Sequence, residues 1–474
     1  MEGTEKQLSS DGEDNGQRSY WWWVVGFGCL AVVLLGILLP RGDHSKGGQL
    51  TSTNQIAAGA PGSSSSSGDR FRSRHARSGT TASAEEIVAT KLSQFGRNRR
   101  DVMRGMAKRF KVEVRPDVEQ FFDAVEGGKW EEIEAAFKPM FEQRKAGTRD
   151  DLNNIWGPIL EAYGVAESTH LWPAQKLLDY GNSILDSLRP GMIYVGGTDP
   201  GRFIPTFLNE TSEGERHIIF TQNAMADNTY LKYVDFLYGD NFGTLRDGDS
   251  QSAFQQYIAD AQRRLKHDQD FPDEPKQIRP GEDVQNTDGR IQVSGQVAVM
   301  GINELLLQDF MNKNPDASFA LEESFPLRSL YSNSVPLGPI MELRAQDAQN
   351  TFTSERAAQV VDYWRDVAQQ LMFDADSPEG SAARKTYSKM VSSQANLMAD
   401  HNFTGDAEQA YRLAAQLEPS NPEAAYGLAN LLARGGRNEE AQRVINDFQR
   451  RNPEQNSANS SFSFKSSPKQ SAAK

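Results

Sequence analysis

The chain has 474 residues, with 51 Lys and Arg against 64 Asp and Glu, for a formal net charge of −13. That acidity argues against nucleic acid as a partner, because nucleic-acid-binding domains carry a basic footprint. A single cysteine, Cys29, excludes an internal disulfide framework and every multi-cysteine zinc site. The six histidines show no metal-ligand spacing, so neither a metal nor a cofactor is expected. Hydrophobic residues reach only 38%, low enough that part of the chain is expected to stay unfolded.

Residues 1–20 form a polar, acidic tail. Residues 21–39, WWWVVGFGCLAVVLLGILL, carry no charge. At 1.5 Å per residue this run spans about 28 Å, close to the ~30 Å hydrocarbon core of a bilayer. Tyr20 and Trp21 to Trp23 put amphipathic rings at one end, where a headgroup region would receive them. The leader has more acids than bases, and no small-residue cleavage site follows the run. An uncleaved single-pass membrane anchor is therefore expected rather than a signal peptide. Lys6 and Arg18 balance Arg41 and Lys46, while the more distant Arg70, Arg72, Arg74 and Arg77 lean toward a cytoplasmic C-terminal side. A short tail before one anchor favours the opposite arrangement, with the soluble part on the extracytoplasmic side. Residues 40–83 are crowded with Gly and Ser, including Ser63 to Ser67, and read as a flexible linker. The tail at 454–474 reads the same way.

Residues 84–189 read as helical. Ser83 with Glu86 three residues later makes a capping-box pattern. Residues 91–111 hold eight bases and one acid, which suits a solvated helix face first and a contact with anionic lipid second. Gly127-Gly128 divide the segment 121–141 into two short helices, and two more follow at 150–163 and 174–188. From 190 to 346 the period changes. Apolar runs at 192–195, 217–220, 318–322 and 340–343 read as strands. They alternate with helices at 202–208, through Tyr230, Val234 and Leu237, at 252–267 and at 299–312. This alternation predicts a βαβ, Rossmann-like α/β domain with a mostly parallel sheet, flanked by all-α regions. Residues 270–289 read as a polar, Pro-containing excursion.

Residues 347–453 read as helical hairpins. GDAEQAYRLAAQLEPSNP (405–422) aligns with RNEEAQRVINDFQRRNP (437–453). Ala407 pairs with Ala441, Tyr411 with Ile445, Ala414 with Phe448 and Pro419 with Pro453, each 34 residues apart. The period and residue types resemble the tetratricopeptide repeat. Small residues let the helices of a hairpin approach, larger ones fill the space between hairpins, and Pro ends the second helix. Leu428, Ala429 and Leu432 fit the first-helix pattern, whereas Gln394, Ala395 and Met398 fit less well. Phe448 is large for its position, which suits a terminal repeat. Two units are too few for a free stack, so helices at 354–373 and 384–402 are expected to complete it.

Open α/β sheets bind ligands beyond the carboxyl ends of their strands. The candidate ligand-binding residues are therefore Thr198, Asp199 and Arg202 in one turn, Asn223, Asp227 and Asn228 in a second, and Glu322 at a third strand end. Gly201-Arg202 entering a helix suits an anion. Asp199, Asp227 and Glu322 suit a divalent cation or sugar hydroxyls. Ordinary turn and helix-cap chemistry needs the same residue types. No G-x-G-x-x-G, P-loop or G-x-S-x-G motif is present, so no catalytic residue is assigned.

LRPGMIYVGGTDPGRFIPTFL and HIIFTQNAMADNTYLKYVDFLYGD resemble the soluble α/β part of a family of glycosyltransferase-like bacterial membrane proteins of unknown function. The likeness is nearest to Verrucomicrobia-type versions, which often carry tetratricopeptide repeats. It implies an α/β domain over 190–345 and transfers no catalytic residue. The expected function is that of a membrane-anchored repeat protein, acting in protein–protein interaction or assembly at the cell envelope. The alternative is a sugar or nucleotide-sugar ligand at turns 196–202 and 221–230.

Overall fold

The computed structural model describes residues 82–279, 281–287, 290–322, 331, 333–343 and 351–453. The apolar run 21–39, nearly all of the linker and the tail from 454 lie outside the described residues. Among the described residues no helix is long and apolar enough to cross a membrane.

The described residues are mostly helical, with a mixed five-stranded sheet and a separate two-stranded hairpin. Helix α1 (Ala84–Phe110) starts at the expected capping box, where Glu86 N donates to Ser83 Oγ at 3.2 Å and Ser83 N to Glu86 Oε2 at 3.0 Å. Helix α2 (Pro116–Gly127) stops at Gly128, whose φ of 71° is open to glycine at little cost. Helices α3 (Trp130–Lys145), α4 (Trp156–Leu171) and α5 (Ala174–Leu185) follow. Helix α1 packs along α2 and α4, burying Phe95, Met103 and Met106.

The basic segment 91–111 is only partly a solvated face: Arg97, Lys108 and Lys111 are exposed, whereas the other five bases meet partners. Lys91 Nζ donates to Thr211 O at 2.7 Å. Arg99 pairs with Glu161 at 2.6 Å, Arg100 with Asp123 at 2.5 Å and Glu126 at 3.1 Å, Arg104 with Glu119 at 2.8 Å, and Arg109 with Asp235 at 3.0 Å. A local run of one sign in the sequence thus becomes a set of ion pairs once distant acids fold against it.

The sheet has the order β2-β1-β5-β7-β6. Strand β1 (Ile193–Gly196) leads into α6 (Asp199–Glu210), and β2 (Ile218–Thr221) into α7 (Asn228–Tyr238). Helix α8 (Asp247–Asp270), the hairpin of β3 (Asp283–Thr287) and β4 (Arg290–Ser294), and α9 (Gln296–Lys313) come before β5 (Phe319–Leu321). Strands β6 (Ser334–Leu337) and β7 (Ile340–Leu343) complete it. Strand β1 runs parallel to β2, with Ile193 opposite Ile218, and parallel to β5, with Ile193 opposite Phe319. Strand β7 is antiparallel to both β5 and β6.

The expected Rossmann-like, mostly parallel sheet is thus corrected to a mixed one. Only two residues separate β6 from β7, and such a hairpin leaves room for antiparallel pairing alone. Gly338, at φ 59°, makes that turn. The stretch taken as a polar excursion ends instead in the β3–β4 hairpin, which forms a separate two-stranded sheet.

Five helices follow among the described residues: α10 (Ser354–Met372), α11 (Ala382–Asp400), α12 (Thr404–Leu417), α13 (Pro422–Arg434) and α14 (Asn438–Arg451). Helix α11 pairs with α12 and α13 with α14, while α10 lies against α12. Helix α11 also rests on the sheet. Gln394 Nε2 donates to Ile340 O at 2.8 Å, and the Tyr387 ring meets Tyr180 of α5 edge-on at 5.6 Å.

Candidate functional site

Parallel pairing of β1 with β2 and β5 brings three strand ends to one edge. The chain leaves β1 toward β2 on one side and later returns to β5 on the other. The gap between β1 and β5 is therefore the point where open α/β sheets form their ligand crevice. Here that point is filled from within. Glu322, 1% exposed and just past β5, accepts from Gly197 N and Thr198 N at 2.9 Å each. It also accepts from Thr198 Oγ1 at 2.8 Å and Tyr180 Oη at 2.7 Å. The carboxylate thus sits before the amino end of α6, where a helix favours negative charge. Gly201 makes room for it, because a Cβ there would fall inside the Glu322 carboxyl group. Burial, and after it the Glu322 charge, hold the Tyr180 phenol well above its ordinary pKa, so the phenol remains a donor.

The other expected residues divide into caps and unspent groups. Thr198 caps α6, its Oγ1 accepting from Gly201 N at 3.0 Å. Asp227 caps α7, its Oδ1 accepting from Thr229 N and Thr229 Oγ1 at 2.8 Å each. Asn223 is exposed, and its Nδ2 donates to Gly197 O, which ties the two turns together. Asp199 opens α6 at the surface, with Arg202, Lys389 and Glu322 as its charged neighbours. Glu322, Asp227 and Asp199 do not assemble into a cation site. Among the described residues no group of three or more His, Cys, Asp or Glu is placed to hold a metal.

Two of the expected site residues keep buried polar atoms without a partner among the described residues. Arg202 is 6% exposed, and its Nε and Nη2 are buried with no hydrogen-bond partner among the described residues. Its guanidinium lies 4.7 Å from the Phe203 ring centroid and 5.0 Å from that of Tyr230. Asn228 Oδ1 is likewise buried without a partner. Sequence reasoning missed Tyr180 and Lys389 at this edge. Each comes from a helix outside the βαβ pattern, and no local signal marks either.

The helical end of the chain offers a second kind of site. Every large or small position of the 34-residue register is buried: Ala407 and Ala441, Tyr411 and Ile445, Ala414 and Phe448. Tyr411 lies where α13 carries Gly427, whose missing Cβ leaves space for the ring. The Phe448 ring meets Tyr426 of α13 at 5.6 Å, so its bulk is accommodated within the hairpin. Residues 404–459 match the family model of the tetratricopeptide repeat. No curated protein and no solved structure matches the chain. The tetratricopeptide repeat near the C-terminus points to a protein partner.

Proposed function

We propose that this chain is a membrane-tethered docking protein that presents a tetratricopeptide hairpin to a protein partner. The observation that carries the reading is the repeat at 404–459 together with the face its neighbours leave open. The sheet already uses one side of α11, through Gln394 on Ile340 O at 2.8 Å, and His401 at its end meets Tyr331 O, ahead of β6, at 3.0 Å. Helix α13 buries Ala424, Ala425, Leu428, Ala429 and Leu432. Its opposite face carries Glu423, Tyr426, Asn430 and Arg434 at helical spacing, half-buried to exposed. A partner segment laid on that face would meet an aromatic ring flanked by an acid, an amide and a base, a mixed surface of the kind interfaces use. The apolar run 21–39 and the Gly/Ser linker support the tether. The short tail before a single anchor is what favours a place at the cell envelope with the soluble part outside the cytoplasm.

The test is co-purification of the full chain in mild detergent, comparing wild type with Asn430→Glu/Arg434→Glu. The expected result is one stoichiometric protein that the double variant loses. An unchanged set of co-purifying proteins would overturn the reading. Point changes on an exposed face are the right tool here, because deleting α11 to α14 would uncover β7.

A further inference from the structure

We propose that the Arg202 guanidinium is the seat of a small-molecule oxyanion, a phosphate or a carboxylate, at the carboxyl ends of β1 and β2. The inference stands apart from the docking reading and rests on different residues. A cation withdrawn from water needs acceptors, and unpaired burial of such a group is costly. Arg202 is withdrawn, yet among the described residues no carboxylate lies within ion-pair distance and two of its nitrogens have no acceptor. Other buried arginines of this fold are paired: Arg99 with Glu161, Arg149 with Asp117 and Asp151, and Arg264 with Glu282. Arg202 is the departure from that habit, and it stands at the edge where the sheet topology places a ligand.

The surroundings describe what would fit. The rings of Phe203 and Tyr230 flank the guanidinium, and Thr221 N donates to Tyr230 Oη at 2.8 Å, which fixes the Tyr230 ring across the end of β2. Cation–π contact steadies the charge without using its N–H groups. A planar guanidinium presents paired donors, which match two oxygens of one carboxylate or phosphate. The amides before α6 are already taken by Glu322, so the anion is received by the side chain of Arg202 and not by the turn backbone. In the neighbouring turn Asn228 Oδ1 is also buried without a partner among the described residues.

The experiment is calorimetric titration of the full chain in detergent with inorganic phosphate and, separately, with succinate, at fixed ionic strength in chloride. The expected result is saturable binding in at least one arm, weakened at least tenfold by Arg202→Gln and unchanged by Arg263→Gln, a surface arginine on α8. The arm that saturates names the source of the oxyanion. No saturable binding in either arm, or equal binding by wild type and Arg202→Gln, would overturn the proposal. Arg202→Met separates binding from folding. In anion-free buffer it removes an unpaired buried charge, so its melting temperature is expected to equal or exceed that of wild type, with no further rise on adding the anion. A lower melting temperature for Arg202→Met, beside a wild type that no anion stabilises, would make Arg202 a structural residue and end the proposal.

Discussion

Glu322 shows how one carboxylate can both complete and close a strand-end crevice. Four donors converge on it, from β1's turn, the cap of α6 and the ring of Tyr180. The arrangement depends on Gly201 having no side chain. Gly201→Ala is therefore expected to force the carboxylate out and cost about 2–4 kcal/mol, read as a lower urea midpoint. A midpoint within error of wild type would mean the carboxylate has room to move. The buried phenols add a pH dependence. Burial holds Tyr180 and Tyr233 well above their ordinary values and pushes Tyr230 up to about 12. In the unfolded chain these phenols ionise near pH ~10. Above that pH the unfolded state binds fewer protons than the folded one, so stability falls as pH rises. It is complete below the unfolded value and is lost through the folded ones. Urea midpoints are expected to drop steadily from pH 10 upward, with a shallower drop in Tyr180→Phe. A flat profile through that range would contradict the assignment.

At the scale of elements, the helical layer is locked by charge as well as by apolar packing. Arg99 of α1 and Glu161 of α4 are both nearly inaccessible. Tyr233 of α7 donates to the same Glu161 oxygen that Arg99 meets, and Arg99 Nη2 lies 3.6 Å from Glu210 of α6. Breaking one side leaves a buried charge without its main partner. Glu161→Gln is expected to cost about 3–5 kcal/mol in denaturant unfolding, whereas Arg99→Met/Glu161→Leu recovers most of that loss. A double variant as unstable as the single one would contradict this.

What the sequence made legible follows the same physics. Helices with strong apolar periods and caps were readable, as were β1, β2, β5 and β7, because each is a short apolar run closed by turn residues. Strand β6 was not, since Pro336 reads as a breaker. It is tolerated because β6 lies at the sheet edge, where one side needs no ladder partner. The β3–β4 hairpin was hidden by the Pro-rich stretch ahead of it, although Asp288-Gly289 between alternating residues is a hairpin signal. The candidate turns were legible as places, and the capping roles of Thr198 and Asp227 were legible too, because their partners Gly201 and Thr229 are local. The surroundings of Glu322 and Arg202 were not, because Tyr180 and Tyr230 come from other elements.

On the scale of the whole molecule, α11, which precedes the matched segment 404–459, packs against the sheet and the helical layer. Gln394, Tyr387 and His401 of α11 and its end meet β7, α5 and Tyr331, so the first repeat-like helix faces inward. That leaves α13 as the outward-facing first helix of the matched repeat, and the docking account stands or falls on it. The most direct measurement places a photo-crosslinking residue at Asn430 in the full chain, with the same residue at the exposed Glu131 of α3 as a control. The account predicts one discrete protein adduct from position 430 and none from 131. No adduct at 430, or the same adducts from both positions, would contradict it.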